Sequence, residues 1–545
     1  MSEILKTSTS TASPTSSNTS KTGFFEDTTV SKLGDNGELH NDLRKNFNIW
    51  SLLGVGFGLT NSWFGISASL VTGISSGGPM LIVYGIMIIA TISVCIGVSL
   101  SELTSAFPED SGGQYYWTFQ LAPKKTRRFW AYMCGSMAWF GSIFTSASVT
   151  ISIASAIVGM YVLSTGREEA PKTWEVFVAF QVLNAFITLF NIYEKPLPLI
   201  AQSALWVSIF SFVTITITVL SCSAGNFQKP SFVFTEFNNA TGWSSSGIAF
   251  IVGLINPAWS FSCLDSATHM CEEIKQPERK IPLAILCTVA IGFSTSFIYV
   301  ICMFFSIRNL DEILNSNTGV PILDIYHQAL QNKHGALALE SLIVLTAFGC
   351  NISSQTWMTR LCWSFSRDNG IPGSRWWKQV NKSTGLPVNA HLMSSFWCAV
   401  VGCIYMGSTA AYNSLVVGCI IFLLFSYAIP LVALLKYGRD KLNHGPFWLG
   451  KFGYFCNIVV LGWTVFATVF FSFPPTMPVD AQSMNYFAVV CVVFVGYAVI
   501  YWHARGHKYF ALDQIVKDEI DDESQLDSSS VDQSSDEKDA ITTKV

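Results

Sequence analysis

Twelve apolar stretches, each about as long as a lipid bilayer is thick, constrain this chain more than any other feature. They run near 50–73, 79–104, 130–163, 174–192, 197–222, 246–268, 283–307, 335–360, 391–408, 412–435, 453–473 and 484–503. A hydrocarbon core of about 30 Å takes roughly 20 helical residues to cross. Backbone facing lipid must satisfy its own hydrogen bonds, so each stretch is predicted to be a helix. The expected fold class is an all-α polytopic membrane protein of twelve transmembrane helices, with the lipid bilayer as its first partner. Composition agrees: 50% of the 545 residues are hydrophobic and only 12% are charged, against about a quarter charged in soluble domains. With a net charge of −4 and no basic face, no nucleic acid is expected as a partner. The cysteines lie singly inside apolar segments (Cys95, Cys134, Cys287, Cys302, Cys419, Cys491) without metal-ligand spacing. They read as small buried hydrophobes, and no metal or cofactor is expected.

The charge that exists is crowded outside these stretches. Residues 1–46 are polar and lack the apolar core of a cleavable signal peptide, and 47–505 hold the helices. Residues 506–545 form an acidic, Ser-rich tail. That tail is open to phosphorylation and to trafficking or ubiquitin machinery, or is simply solvated. Lys and Arg in alternate connectors divide twenty to five, which places the richer set, and with it both termini, in the cytosol. The sequon Asn239-Ala-Thr241 then falls outside. In the outer connector 308–334, Val320–Leu330 has the apolar spacing of a short amphipathic helix.

No phosphate-binding GxxxxGK[ST] loop, domain-sized insertion or carbonyl filter is present. Twelve helices without them point to a secondary transporter, not an enzyme, a pump or a channel. Such proteins bind substrate at mid-membrane, where helices are interrupted. Span 1 gathers Gly54, Gly56 and Gly58 ahead of Asn61-Ser-Trp63-Phe64-Gly65. Interior glycines cost about 1 kcal/mol each relative to alanine, so the cluster marks either an unwound segment or close helix packing. Span 6 carries Asn256-Pro257, then Trp259, Phe261 and Asp265. Proline removes a backbone donor and clashes with the preceding turn, and a carboxylate at membrane depth is a functional candidate. Broken spans 1 and 6, five apart, suggest inverted repeats of five (1–5 and 6–10), with two helices extra.

The connectors carry Glu102-Leu-Thr-Ser-Ala-Phe-Pro108 followed by Ser111-Gly-Gly-Gln-Tyr-Tyr-Trp117, then Glu272-Glu-Ile-Lys-Gln-Pro277-Glu-Arg279-Lys-Ile-Pro282, then Arg367-Asp-Asn-Gly-Ile-Pro372. With these motifs in this order, residues of about 45–505 resemble the amino acid–polyamine–organocation superfamily. Leu53–Ser67, Phe250–Asp265 and His444–Gly453 are similar to its fungal amino acid/choline transporter group, the choline/ethanolamine permeases above all. The resemblance implies a leucine-transporter-type fold and uptake of a small cationic substrate, choline and ethanolamine, at the plasma membrane.

A quaternary ammonium has no N–H to donate, so it needs aromatic faces, each worth ~0.5–2 kcal/mol. The breaks offer Trp63, Phe64, Trp259 and Phe261; span 8 offers Ser353, Gln355 and Trp357, with helix packing as the competing reading. The superfamily commonly has a small-residue turn in helix 1 that holds a substrate carboxylate. Counting back from Gly77-Gly78 places that turn at Trp63-Phe64-Gly65, where only Gly65 is small; Gly56-Phe57-Gly58 is the other register. Some members carry a helix 5 lysine in place of sodium, and 197–222 has no Lys or Arg. Coupling through protons at Asp265 or Glu102 and entry on the membrane potential alone, ~2.3 kcal/mol per 100 mV, both stay open. Glu102, Glu272, Glu273 and Arg279 are the expected gate residues, and Glu340, near the outer end of span 8, is expected to be solvated. The alternatives are a GABA, amino acid or polyamine permease, and a nutrient-sensing transceptor without net transport.

Overall fold

The computed structural model describes residues 48–512, apart from 109–110, 194, 382, 407–410, 443 and 481–482. The chain runs α1 (Ile49–Thr60), α2 (Ser62–Ala68), α3 (Leu70–Ala106), α4 (Gln114–Leu121), α5 (Arg127–Thr165), α6 (Thr173–Thr188), α7 (Leu197–Cys222), α8 (Pro230–Phe234), α9 (Ser246–Gly253), α10 (Ile255–Ser260), α11 (Pro277–Phe305), α12 (Leu310–Leu314), α13 (Pro321–Leu330), α14 (Lys333–Arg367), α15 (Ser374–Trp377), α16 (Val388–Gly402), α17 (Ala411–Tyr437), α18 (Lys451–Phe470) and α19 (Phe487–Tyr501). No strand occurs among the described residues. Ten of these helices are long and apolar enough to cross a membrane: α3, α5, α6, α7, α11, α14, α16, α17, α18 and α19. The two apolar stretches missing from that set, 50–73 and 246–268, are the interrupted ones.

The first interruption is at Asn61, with φ 28° and ψ 63° between α1 and α2. Asparagine tolerates positive φ better than most side chains. Gly54, Gly56 and Gly58 are therefore not the break: all three lie inside the continuous α1. They serve close packing instead. A Cβ on Gly54 would sit 2.5 Å from the Ala201 carbonyl oxygen of α7, and one on Gly56 would sit 3.0 Å from the Thr288 hydroxyl of α11. The turn into the second span falls at Gly78, whose φ of 69° is outside helical range.

The second interruption has two parts: a short break at Leu254, between α9 and α10 and three residues before Pro257, and a longer one after Ser260. Asn256 and Pro257 lie within the short α10, in its first turn, where a helix needs no amide donor from Pro257. The chain leaves the helix at Phe261, passes Cys263 at φ 66°, and re-coils only as a 3-10 segment over Thr268–Glu273. The expected amphipathic helix in the outer connector is α13, which buries Ile322, Leu323, Ile325 and Tyr326.

α5 is the central post, packed along both α14 and α17, while α3 packs along α11. The expected tails, 1–46 and 506–545, lie outside the described residues except for 506–512. Those residues join the helical body: Arg128 Nε donates to the Phe510 carbonyl at 3.1 Å, and the Phe510 ring is buried.

Candidate functional site

The two interrupted helices touch. A Cβ on Gly65 of α2 would lie 2.9 Å from the Ser260 Cα of α10, so no larger residue fits there without moving one helix. Asn256 Nδ2 donates to the Ile66 carbonyl at 3.1 Å and to Ser69 Oγ at 2.6 Å. The Asn61 break is pinned from α7, where Ser208 Oγ donates to Asn61 Oδ1 at 3.2 Å and accepts from Trp63 Nε1 at 2.9 Å.

That bond turns Trp63 toward α7, with its ring 5.3 Å from Tyr299 and 6.2 Å from Phe212. The predicted aromatic residues do not form one ring. Phe64 lines a small cavity of about 40 Å³ between α2, α5, α14 and the start of α13. Trp259 donates from Nε1 to Ser148 Oγ of α5 at 3.1 Å. Ser152, one turn further along α5, lines the cavity, so Trp259 lies just below it. Phe261 lines a second, mostly apolar cavity of about 30 Å³ against α3, α17 and Trp463. Trp357 is fully buried, 6.4 Å from the His269 ring. Phe64 and Trp259 remain as the pair along one path.

The expectation for Glu340 is corrected too. It is 1% exposed and lines the cavity beside Phe64, because α13 packs over the start of α14. What α13 covers depends on tertiary packing, which helical spacing alone does not reveal.

Below the 261–267 break lies a polar cluster. Asp265 is fully buried; Tyr427 donates to Oδ1 at 2.5 Å and Gln114 Nε2 to Oδ2 at 2.7 Å. His269 Nε2 stands 3.4 Å from the same Oδ2 while Nδ1 bonds the Ser111 carbonyl at 2.8 Å. Since that carbonyl only accepts, Nδ1 carries a proton. Gly113 makes room for the histidine: its φ is 54°, and a Cβ there would lie 3.0 Å from His269 Cε1. His269 and Gln114 were not selected from sequence. The Gly-Gly-Gln-Tyr-Tyr motif was the available signal.

At the Lys/Arg-rich end, three motif segments distant in sequence meet. Glu273 pairs with Arg360 at 3.0 and 3.3 Å, both residues 1% exposed. Glu272 pairs with Arg367 at 2.9 Å and accepts from the Ser111 amide at 3.2 Å. Tyr115 donates to Asp368 at 2.7 Å. Glu102 pairs with Arg439 at 2.7 Å and accepts from the Leu449 amide at 2.8 Å. Thus Glu102, Glu272 and Glu273 are brought together with arginines, but Arg279 is not. It is exposed and forms no ion pair among the described residues. No group of three or more His, Cys, Asp or Glu is placed to hold a metal ion among the described residues.

At the opposite end, Asp324 of α13 accepts from Thr318 Oγ1 at 2.7 Å. Burial pushes its carboxyl up to about 6, with the Thr318 and Ser316 hydroxyls opposing. The titratable group facing it from α14 is Glu340. The folded state therefore holds a proton that the unfolded chain, near its ordinary 3.8, has already released. Relative to Asp324→Asn, the wild type should lose stability as pH rises from about 4 to about 6 and stay level above that. Melting curves of both proteins across that range test this, and parallel curves would refute it.

Half-length helices meeting inside the bundle, a cavity leading to them and ion pairs across one end define a multi-pass membrane transport protein. Comparison with known proteins specifies the class. The family model for amino acid permease matches residues 47–495. A choline transporter of Saccharomyces cerevisiae is 61% identical over 474 residues, covering 87% of this chain and 83% of the relative. A 7-keto 8-aminopelargonic acid transporter of the same yeast is 35% identical, covering 82% and 90%. A swainsonine transporter of Arthroderma benhamiae is 31% identical, covering 90% and 96%. The chain belongs to the amino acid permease family.

Proposed function

We propose that this permease takes up choline, and with it ethanolamine, across the plasma membrane by alternating access. It would cross the bilayer twelve times as two five-helix inverted halves plus two helices, with both termini cytosolic. The observation carrying the substrate class is the cavity lining. It offers the Phe64 ring and apolar walls. A quaternary ammonium has no N–H to donate, and such surfaces suit it. The choline transporter that is 61% identical supports the same reading.

In this scheme substrate enters past Phe64, rests against Trp259, and leaves after the ion pairs Glu273–Arg360, Glu272–Arg367 and Glu102–Arg439 part. The Asp265–His269 pair sits between the substrate path and those ion pairs, where a proton could be held or released as the helix 6 break moves. Asp265→Asn should abolish transport or its pH dependence. Full uptake with the wild-type pH response would remove Asp265 from coupling. The parent test is radiolabelled choline uptake in a strain lacking its own choline carrier, with and without a protonophore. Excess choline should block entry and excess GABA should not. Uptake driven by the potential alone would survive removal of the pH gradient while the potential is held. A transceptor without net transport would show no counterflow in proteoliposomes.

A further inference from the structure

We propose that Glu340 is the anionic half of an outer cation subsite, where the substrate's ammonium group is held between this carboxylate and the Phe64 ring before it moves down to Trp259. The assignment rests on the choline reading above and adds a charge-recognising residue to it. Glu340 is 1% exposed, and neither carboxylate oxygen has a hydrogen-bond partner among the described residues. It is the single ionisable side chain lining the cavity. Two of the hydroxyls lining the cavity are committed elsewhere: Ser67 donates to the Trp63 carbonyl at 2.9 Å, and Ser152 to the Ser148 carbonyl at 2.8 Å. A second carboxylate, Asp324, lies close enough to interact with it electrostatically.

Burying an uncompensated carboxylate is costly, and such groups at membrane depth persist where a cation passes. The chemistry selects the kind of cation. A bare calcium or magnesium ion wants about six or more oxygen ligands, which walls such as Ile322, Val344 and Ala347 do not supply. A methylated ammonium needs the opposite: diffuse negative charge, an aromatic face and apolar surface for its methyl groups.

The test uses the full-length protein in cells lacking their own choline carrier. Labelled choline uptake is competed by unlabelled choline and by its neutral analogue with carbon in place of nitrogen. Glu340→Gln should raise the half-saturation for choline about 10-fold or more and shrink the preference for choline over the neutral analogue by a similar factor. Glu340→Asp should fall between. Removing an unpartnered charge should also raise the melting temperature, so Glu340→Gln is expected to reach the surface. A variant that melts lower and is lost from the membrane would make Glu340 structural and overturn the subsite. Unchanged half-saturation and preference, with wild-type choline uptake intact, would overturn the subsite alone. Absence of choline uptake by the wild type would overturn both the subsite and the transport reading.

Discussion

Replacing Arg360 by alanine is expected to destabilise the protein by about 3–5 kcal/mol, enough to remove most folded carrier from the membrane. Both partners of the Glu273–Arg360 pair are 1% exposed, and the guanidinium presents two nitrogens to the carboxylate, at 3.0 and 3.3 Å. Alanine would leave the Glu273 charge buried with no counter-charge in reach. The loss measures that stranded charge more than the attraction in the intact pair, since the desolvation of two ions offsets much of their Coulomb energy. The double variant Arg360→Met with Glu273→Met should therefore recover much of the lost stability while abolishing or deregulating transport. Arg360→Lys keeps the charge but not the fork and should fall between. Fluorescence-detected size exclusion and melting temperature in detergent measure the effect. If Arg360→Ala melts like the wild type, the pair is not holding this end together.

Trp259→Ala should raise the half-saturation for choline ~10-fold or more, the equivalent of losing one strong cation–aromatic contact of about 1.4 kcal/mol. Trp259 is 6% exposed and fixed by its bond to Ser148, so its indole face is set before any ligand arrives. Truncating a large buried ring also creates a cavity costing about 3–5 kcal/mol, so surface expression must be measured beside uptake. Trp259→Phe separates the two effects: it keeps an aromatic face, loses the Ser148 bond, and should raise the half-saturation by less. An alanine variant with normal affinity and normal expression would place Trp259 in packing only.

The spans were legible because length and apolarity are local properties: α7, predicted at 197–222, ends where it was expected to end. The interruptions were legible as to span and not as to residue. Glycine and proline are conspicuous breakers, yet here the span 1 glycines admit neighbouring helices and Pro257 accompanies only the short break at Leu254, while Asn61 and Phe261–Ala267 make the larger ones. The motif segments contained the gate carboxylates and Arg367, the partner of Glu272, but not the partners of Glu273 and Glu102. Arg360 and Arg439 lie 87 and 337 residues from the glutamates they meet, and no local pattern encodes such a pairing. Glu340 was misplaced for a related reason. Its burial depends on α13, whose helical spacing was visible but whose resting place was not.

The Asn256 bonds to Ile66 and Ser69, with the bare approach of Gly65 to Ser260, yoke α2 to α10. A rocking motion can carry this welded pair as one lever at little cost. Prising its arms apart would break the two hydrogen bonds donated by the Asn256 amide and open the close-packed seam at Gly65. Flexing is thereby pushed into the two interruptions left over, Asn61 and the loop from Phe261 to Ala267.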